Sequence, residues 1–479
     1  MAAESPGGHA ETVRLWSLTE DTLVEAGDEG ALVAITWWGE FEFPGTADGV
    51  RESLARLALG PVSMANLMVS GRAGEDGWRL SLRKVLARLS GSVVHSLALN
   101  DGRGPLLSAI PVTQSPVFPD GPLPAGRQVR LSRFTALRAE DGALLAESPG
   151  APYKVALLRP SAVLIASSLA TPKTVEQLVE TTGLAEPVVA GVVGFLVAAG
   201  VVLLADAHGR FTEFGDPETT TWSHPDLMFH SRSRTWQKSS PQEPGGGRAG
   251  AQPPVVKPGT GGPTFPLHRP DPAALAAADP TLTSLLESDH SCPDFSERTL
   301  SARQIGEFLF RSARVQSTGP AHLPGGPSHE ASQRPYFSVA CLYELEVYVG
   351  VNRCADLARG IYHYDPQWHT LTLINDDAAV LDGLLDMAMI AAGSHRRPSA
   401  LLTMTARMSR IAWVLGGAAY ATTLLHLGAL QQVFYLAAKA MGLAAHAVPV
   451  DAGDRVDRAL KLEWPAEVSV GECVLDFPG

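Results

Sequence analysis

The chain has 479 residues, 45% hydrophobic and 18% charged, with a formal net charge of -12 at pH 7. That length suits two to four domains with ample core, and an acidic balance without a Lys/Arg run argues against nucleic acid as a partner. Cys292, Cys341, Cys354 and Cys473 have no CxxC spacing, and the opening MAAESPGGHAET lacks the regions of a signal peptide, so a cytoplasmic protein with reduced thiols is expected.

Residues 12–44 alternate in the manner of strands, helices are expected over 49–59 and 79–89, and VVHSLAL and LLSAIPV read as a closing hairpin. That order is the order of a winged-helix module, placed at 10–118. It repeats in outline over 126–215, with a hairpin turning at 140–142, a capping box at Thr174 and Gln177, a second helix at 186–199 and VVLLADAHGRFTEF as the wing. The second helix, EPVVAGVVGFLVAAG, offers no Arg, Lys, Asn or Gln to a base edge. A peptide-binding or packing role therefore fits better than DNA, because a sheet edge accepts an extended peptide without basic surface. The uncharged run 187–205 is long enough to span a bilayer, but it lacks basic or aromatic anchors and breaks at Gly200. A helix to residue 199 followed by a strand over 201–204 is expected instead, with no membrane partner.

Residues 216–280 are rich in Pro and Gly and read as a linker or crossing arm. Residues 281–479 read as an α+β domain: a short helix at 282–288, an amphipathic one at 301–314, strands in LYELEVYVGV and GIYHYDPQWHTLTLI, and helices at 378–392 and 418–441 around a strand at 399–405. VSVGECVLDF closes the chain as a strand. Between 409 and 448 no acidic residue occurs, and the helix there is apolar almost all round, so it belongs in a core or a subunit interface. His426 and Gln432, polar groups on that helix, need partners there.

The series RPYFSVACLYELEVYV, GIYHYDPQWHTLTLI, the apolar stretch 409–443 and the terminal EVSVGECVL resembles the SagB-type, McbC-like peptide dehydrogenases of the nitroreductase superfamily. The likeness extends upstream through LLESDHSCPDFSERTLSARQIGEFLFRSARV and TVRLWSLTEDTLVE. It implies a mixed sheet flanked by helices, with a long dimerising helix, behind two winged-helix-like modules. It also implies FMN chemistry that oxidises thiazolines and oxazolines to thiazoles and oxazoles in a ribosomally made precursor peptide, beside a YcaO-type cyclodehydratase. The flavin would lie at the interface of a homodimer, or of a heterodimer with a paralogous dehydrogenase.

Carried over residue by residue, the resemblance keeps Trp413 but has Val414-Leu415 where the family has its Lys-Tyr pair, and neither exchanges a proton. The phosphate-gripping Arg-Arg-Ser-x-Arg run falls on residues 288–293, where Ser291 remains and Asp289 repels a phosphate. Phe337-Ser338-Val339-Ala340 stands for the Pro-Ser-Gly-Gly turn beside the flavin, and Val448-Pro449-Val450-Asp451 for a Gly-Gly-Gly-Asp loop. Ser291, Ser338, Arg407, Arg410 and Gln432 are the candidates for holding a cofactor, Tyr420 and His426 those for acid/base work, and no metal site is expected. Each missing charge-assisted phosphate contact is worth ~1.5–3 kcal/mol. Two readings follow: an FMN-dependent azoline dehydrogenase with an altered site, or a flavin-poor scaffold subunit that presents precursor peptide.

Overall fold

The alternation from residue 12 onward becomes a sheet. The computed structural model describes residues 11–27, 31–45, 48–67, 75–119, 121–140, 142–213, 221–233, 252–259, 261–288, 294–322, 328–450 and 453–479. It divides into two compact units, Met1–Arg232 and Ser233–Gly479. The first runs through β1 (Thr12–Leu18), β2 (Leu23–Ala26), β3 (Leu32–Thr36), β4 (Gly39–Phe43), α1 (Asp48–Leu59), α2 (Met64–Leu67) and α3 (Glu75–Arg88). It continues with β5 (Val93–Leu99), β6 (Pro105–Pro111), β7 (Val129–Leu131), β8 (Ala136–Glu140), β9 (Ala143–Glu147) and β10 (Tyr153–Leu157). Then come α4 (Pro160–Ser168), α5 (Val175–Thr182), α6 (Glu186–Ala198), β11 (Val202–Leu204) and, across the border, α7 (His224–Ser233).

One six-stranded sheet, ordered β1-β5-β6-β10-β9-β8, takes strands from both stretches expected as separate modules. The join is β6 against β10, with Tyr153 opposite Pro111. The capping box forms: Thr174 Oγ1 accepts the Gln177 N–H and Gln177 Oε1 accepts the Thr174 N–H, while Gly183 ends α5 in the left-handed region at φ 67°. The run 187–205 is α6 followed by β11, as its composition implies. The wing differs from expectation. β11 pairs with β7, Val202 opposite Leu131, and 211–213 is not a strand. After β11 the Asp206 carboxylate accepts the N–H groups of His208 and Arg210 and folds the chain into a tight turn.

The second unit comprises β12 (Thr264–Pro266), α8 (Pro272–Ala278), α9 (Leu282–Leu286), α10 (Ala302–Ser312), β13 (Ser317–His322), β14 (Ser328–Gln333), β15 (Leu345–Val351) and β16 (Gly360–Asp365). It continues with β17 (Thr370–Asn375), α11 (Ala378–Ala391), β18 (Ala400–Arg407), α12 (Met408–Leu415), α13 (Ala419–Ala440), β19 (Ala444–Val448), α14 (Gly453–Ala459) and β20 (Glu467–Asp476). Seven strands lie in the order β12-β17-β16-β15-β18-β20-β19. The pairings are antiparallel, so the sheet is not the mixed one expected. Helices cover both faces. Val347, Val349, Leu402 and Met404 pack against Phe308 of α10 and Leu430 and Phe434 of α13, while Tyr348, Leu401 and Val474 pack against Leu381 and Leu385 of α11 and Val456 of α14. Within 252–266, part of the Pro/Gly-rich stretch, Val255 is buried and β12 adds to β17.

Among the described residues one helical run, Met408–Ala440, is long and apolar enough to cross a membrane by composition. It breaks at Gly416, φ 51°, and buries Arg410, Thr423 and His426 in protein, which marks it as a core helix. Phe434 is fully buried, its ring 5.1 Å from that of Phe308. Phe434→Ala is expected to destabilise this unit by ~3–5 kcal/mol, read as a lowered urea midpoint at unchanged slope.

Candidate functional site

Strand period two sets the site out. Glu346 lies opposite Thr405, Tyr348 opposite His363, and Arg407 opposite Glu467, so β15, β16, β18 and β20 put these six side chains on one face. The Glu346 carboxylate sits between His363 Nε2 at 3.1 Å and Arg407 Nε at 2.8 Å. Its burial alone would raise the pKa. The His363 hydrogen bond and the Arg407 charge outweigh that and hold it down at about 2. Beside it Glu467 accepts from Tyr348 Oη at 3.0 Å, Thr405 Oγ1 at 2.5 Å and Lys257 Nζ at 2.5 Å.

Lys257 belongs to a strap, residues 252–257, lying along the arginines. Gln252 pairs through both ends of its amide with the backbone of Glu330. Arg410 Nη1 donates to Pro253 O at 2.8 Å, and Arg407 donates through Nη1 to Pro254 O at 2.8 Å and through Nη2 to Val255 O at 3.0 Å. Arg410 also donates to Leu342 O and Glu330 O. It is 1% exposed, and burial, with Arg407 and Arg334 nearby, lowers its pKa to about 10.

The loop before β15 is braced from α13. His426 Nε2 accepts the Val339 N–H at 2.7 Å, so Nδ1 carries the proton and donates to the Glu344 carboxylate at 2.9 Å. Ser338 Oγ accepts the Tyr343 N–H at 3.1 Å. Ala340, Cys341 and Tyr343 all lie in the left-handed region, at φ 56°, 54° and 47°. The backbone keeps, at Ala340, a conformation suited to the glycine that the resemblance expects there.

The candidate residues are thus dispersed in role. His426 has both nitrogens engaged and is fully buried, whereas Tyr420, six positions earlier on the same helix, is 42% exposed. Six residues turn a helix through ~600°, which places the two on different faces. Gln432 is exposed, and Ser291, like Asp289, lies outside the described residues. FMN needs donors free to grip a phosphate dianion. Arg407 and Arg410 spend theirs on main-chain carbonyls and Gln432 faces away from the buried centre, so these three do not fit that group. Sequence reasoning missed Lys257 and Glu467 and counted Glu346 only as part of a strand. The signal was faint: acidic residues at two-residue spacing in YELEVY, where an apolar strand has no reason to carry them.

The second unit is an α+β body, an antiparallel sheet with helices on both faces. The family model for cyanobactin oxidase ThcOx matches residues 129–239, less than a quarter of the chain. Among solved structures the chain is similar to a nitroreductase-like protein from Anabaena variabilis, at 21% identity and TM-score 0.38, over 52% of this chain and 45% of that one. It is similar to one from Ralstonia eutropha, at 19% identity and TM-score 0.35, over 48% and 96%. A third is the E. coli microcin synthetase McbBCD complex with truncated pro-MccB17 bound, at 19% identity and TM-score 0.32, over 41% and 73%. The chain spans less than half the length of the Anabaena protein, and superpositions this loose carry no weight for function. No curated protein matches the chain.

Two outcomes follow. Ala340→Gly is expected to stabilise the unit by ~0.5–1 kcal/mol, the strain relieved exceeding the added unfolded-state entropy, as measured by urea unfolding. Because the Glu346 pKa is depressed in the folded state, its contribution is complete above the unfolded value of about 4.3 and is lost as pH falls toward about 2. Glu346→Gln is expected to cost ~3–5 kcal/mol at neutral pH, by leaving Arg407 buried without its counter-charge, and to flatten the acid limb of stability against pH.

Proposed function

We propose that this chain is a flavin-poor subunit that holds a precursor peptide for an active dehydrogenase, rather than oxidising azolines itself. The observation that carries this is the commitment of Arg407 and Arg410 to the strap carbonyls. His426 supports it, because both of its nitrogens are spent on bracing a loop and none is left to move a substrate proton. Val414 and Leu415 supply no proton either. In this reading a YcaO-type cyclodehydratase delivers the azoline peptide in the cytoplasm, the winged-helix-like stretches 10–118 and 126–215 dock it, and a like or paralogous subunit pairs along α13. Tyr420, Leu424 and Leu425 on α13, all exposed, favour such pairing.

The alternative is the family's own activity, an FMN-dependent azoline dehydrogenase, and one measurement separates the two. The chain purified in excess FMN is expected to hold flavin far below one per protein and to leave a thiazoline-containing peptide unoxidised. A yellow, stoichiometric complex that forms thiazole alone would overturn the proposal.

A further inference from the structure

The strap 252–257 has the chemistry of a bound peptide. It joins no sheet and no helix, and Pro253, Pro254 and the following Pro258 have no N–H to offer a sheet edge. Carbonyl recognition holds it instead. Pro253, Pro254 and Val255, successive in the chain, give their oxygens to Arg410, Arg407 and Arg407 again at 2.8, 2.8 and 3.0 Å. Two side chains add selectivity. Val255 is 5% exposed, whereas Pro254 and Pro258 face water. Lys257 Nζ donates to Tyr348 Oη at 2.7 Å and to Glu467, a buried carboxylate, at 2.5 Å. Arg407 and Glu467 stand opposite one another in β18 and β20, so the floor beneath the strap presents a guanidinium beside a carboxylate.

Main-chain carbonyls are common to every peptide, so the two arginines recognise an extended chain whatever its sequence. The space taken by Val255 and the Glu467 carboxylate supply the sequence preference. Neither arginine tolerates an empty cleft. Losing the strap without a substitute would strip Arg407 of two acceptors and Arg410 of one, and would leave Glu467 without its cation. A second extended chain restores every one of those bonds, so exchange costs far less than opening.

We propose that this cleft is a peptide-binding site filled in cis by the strap. An extended segment with an aliphatic residue and, two positions later, a lysine takes the strap's place. This gives the peptide of the preceding reading a place on the body, and rests on that reading only for the incoming chain being the precursor. A strap in cis competes at an effective concentration of order millimolar, so its grip sets the apparent affinity.

The probe is the strap's own sequence, fluorescein-labelled Gln-Pro-Pro-Val-Val-Lys amide, titrated by anisotropy into the full chain and into Lys257→Met. The variant's strap has lost its ion pair and leaves Glu467 open to the probe's lysine, so the probe is expected to bind it at least ~10-fold more tightly than the unaltered chain. Norleucine in place of the probe's lysine is expected to remove that gain. On the unaltered chain, probe at millimolar concentration is expected to speed acetylation of Lys257 several-fold, read by mass spectrometry, because the displaced ammonium reaches water. Absence of binding to both chains, equal affinity for the two, or equal affinity of the norleucine peptide overturns the proposal. If Lys257→Met fails to fold, the acetylation rate decides, and a rate unchanged by probe overturns it. A flavin-loaded, thiazole-forming chain would overturn the preceding reading and leave this exchange untouched, whereas a failed exchange leaves the flavin ratio as expected.

Discussion

Buried arginine has to be answered. Arg407 and Arg410 carry guanidinium charges, and each lies almost wholly out of water. The cost of stripping water from them is met by three successive strap carbonyls, the carbonyls of Leu342 and of Glu330 in β14, and one carboxylate, Glu346. That requirement draws residues 252–257 down onto the body. It also sets the functional character of the site, because donors spent on the chain's own backbone are withheld from a phosphate.

A second constraint runs through α13. An apolar helix of this length serves two masters, the core on one side and an exposed stripe on the other. His426 is the hinge between them: it faces inward, ties Glu344 to the loop at Val339, and holds a run of left-handed residues that glycine would occupy at lower strain. Polar groups on the helix therefore look like catalytic candidates in sequence and behave as braces in space.

How much was legible differs by element. Helices α5, α6 and α13, the strap's Pro-rich composition and strands β15 to β18 and β20 can be read from period and capping, since those signals are local, whereas β12, β13, β14 and β19 escape such reading. The partner of β11 could not, because β7 lies some seventy residues earlier in the chain and strand pairing over that separation leaves no local signal. Nor could the roles of Arg407 and Arg410. A basic residue near the start of a helix is compatible with an anion site or a staple, and only the location of the carbonyls distinguishes them.

Alone, the sequence determined the α+β body, the long apolar helix and the absence of proton-exchanging groups at Val414 and Leu415, because each is written in residues close together along the chain. Tertiary structure decided what the remaining polar groups do: which nitrogen of His426 carries its proton, where the guanidiniums spend their donors, and that Gln432 faces away from the buried centre. The reason is physical. Periodicity fixes which side of an element a residue occupies, whereas protonation, desolvation and hydrogen-bond supply depend on neighbours brought from as far as 210 residues away, the separation of Lys257 from Glu467.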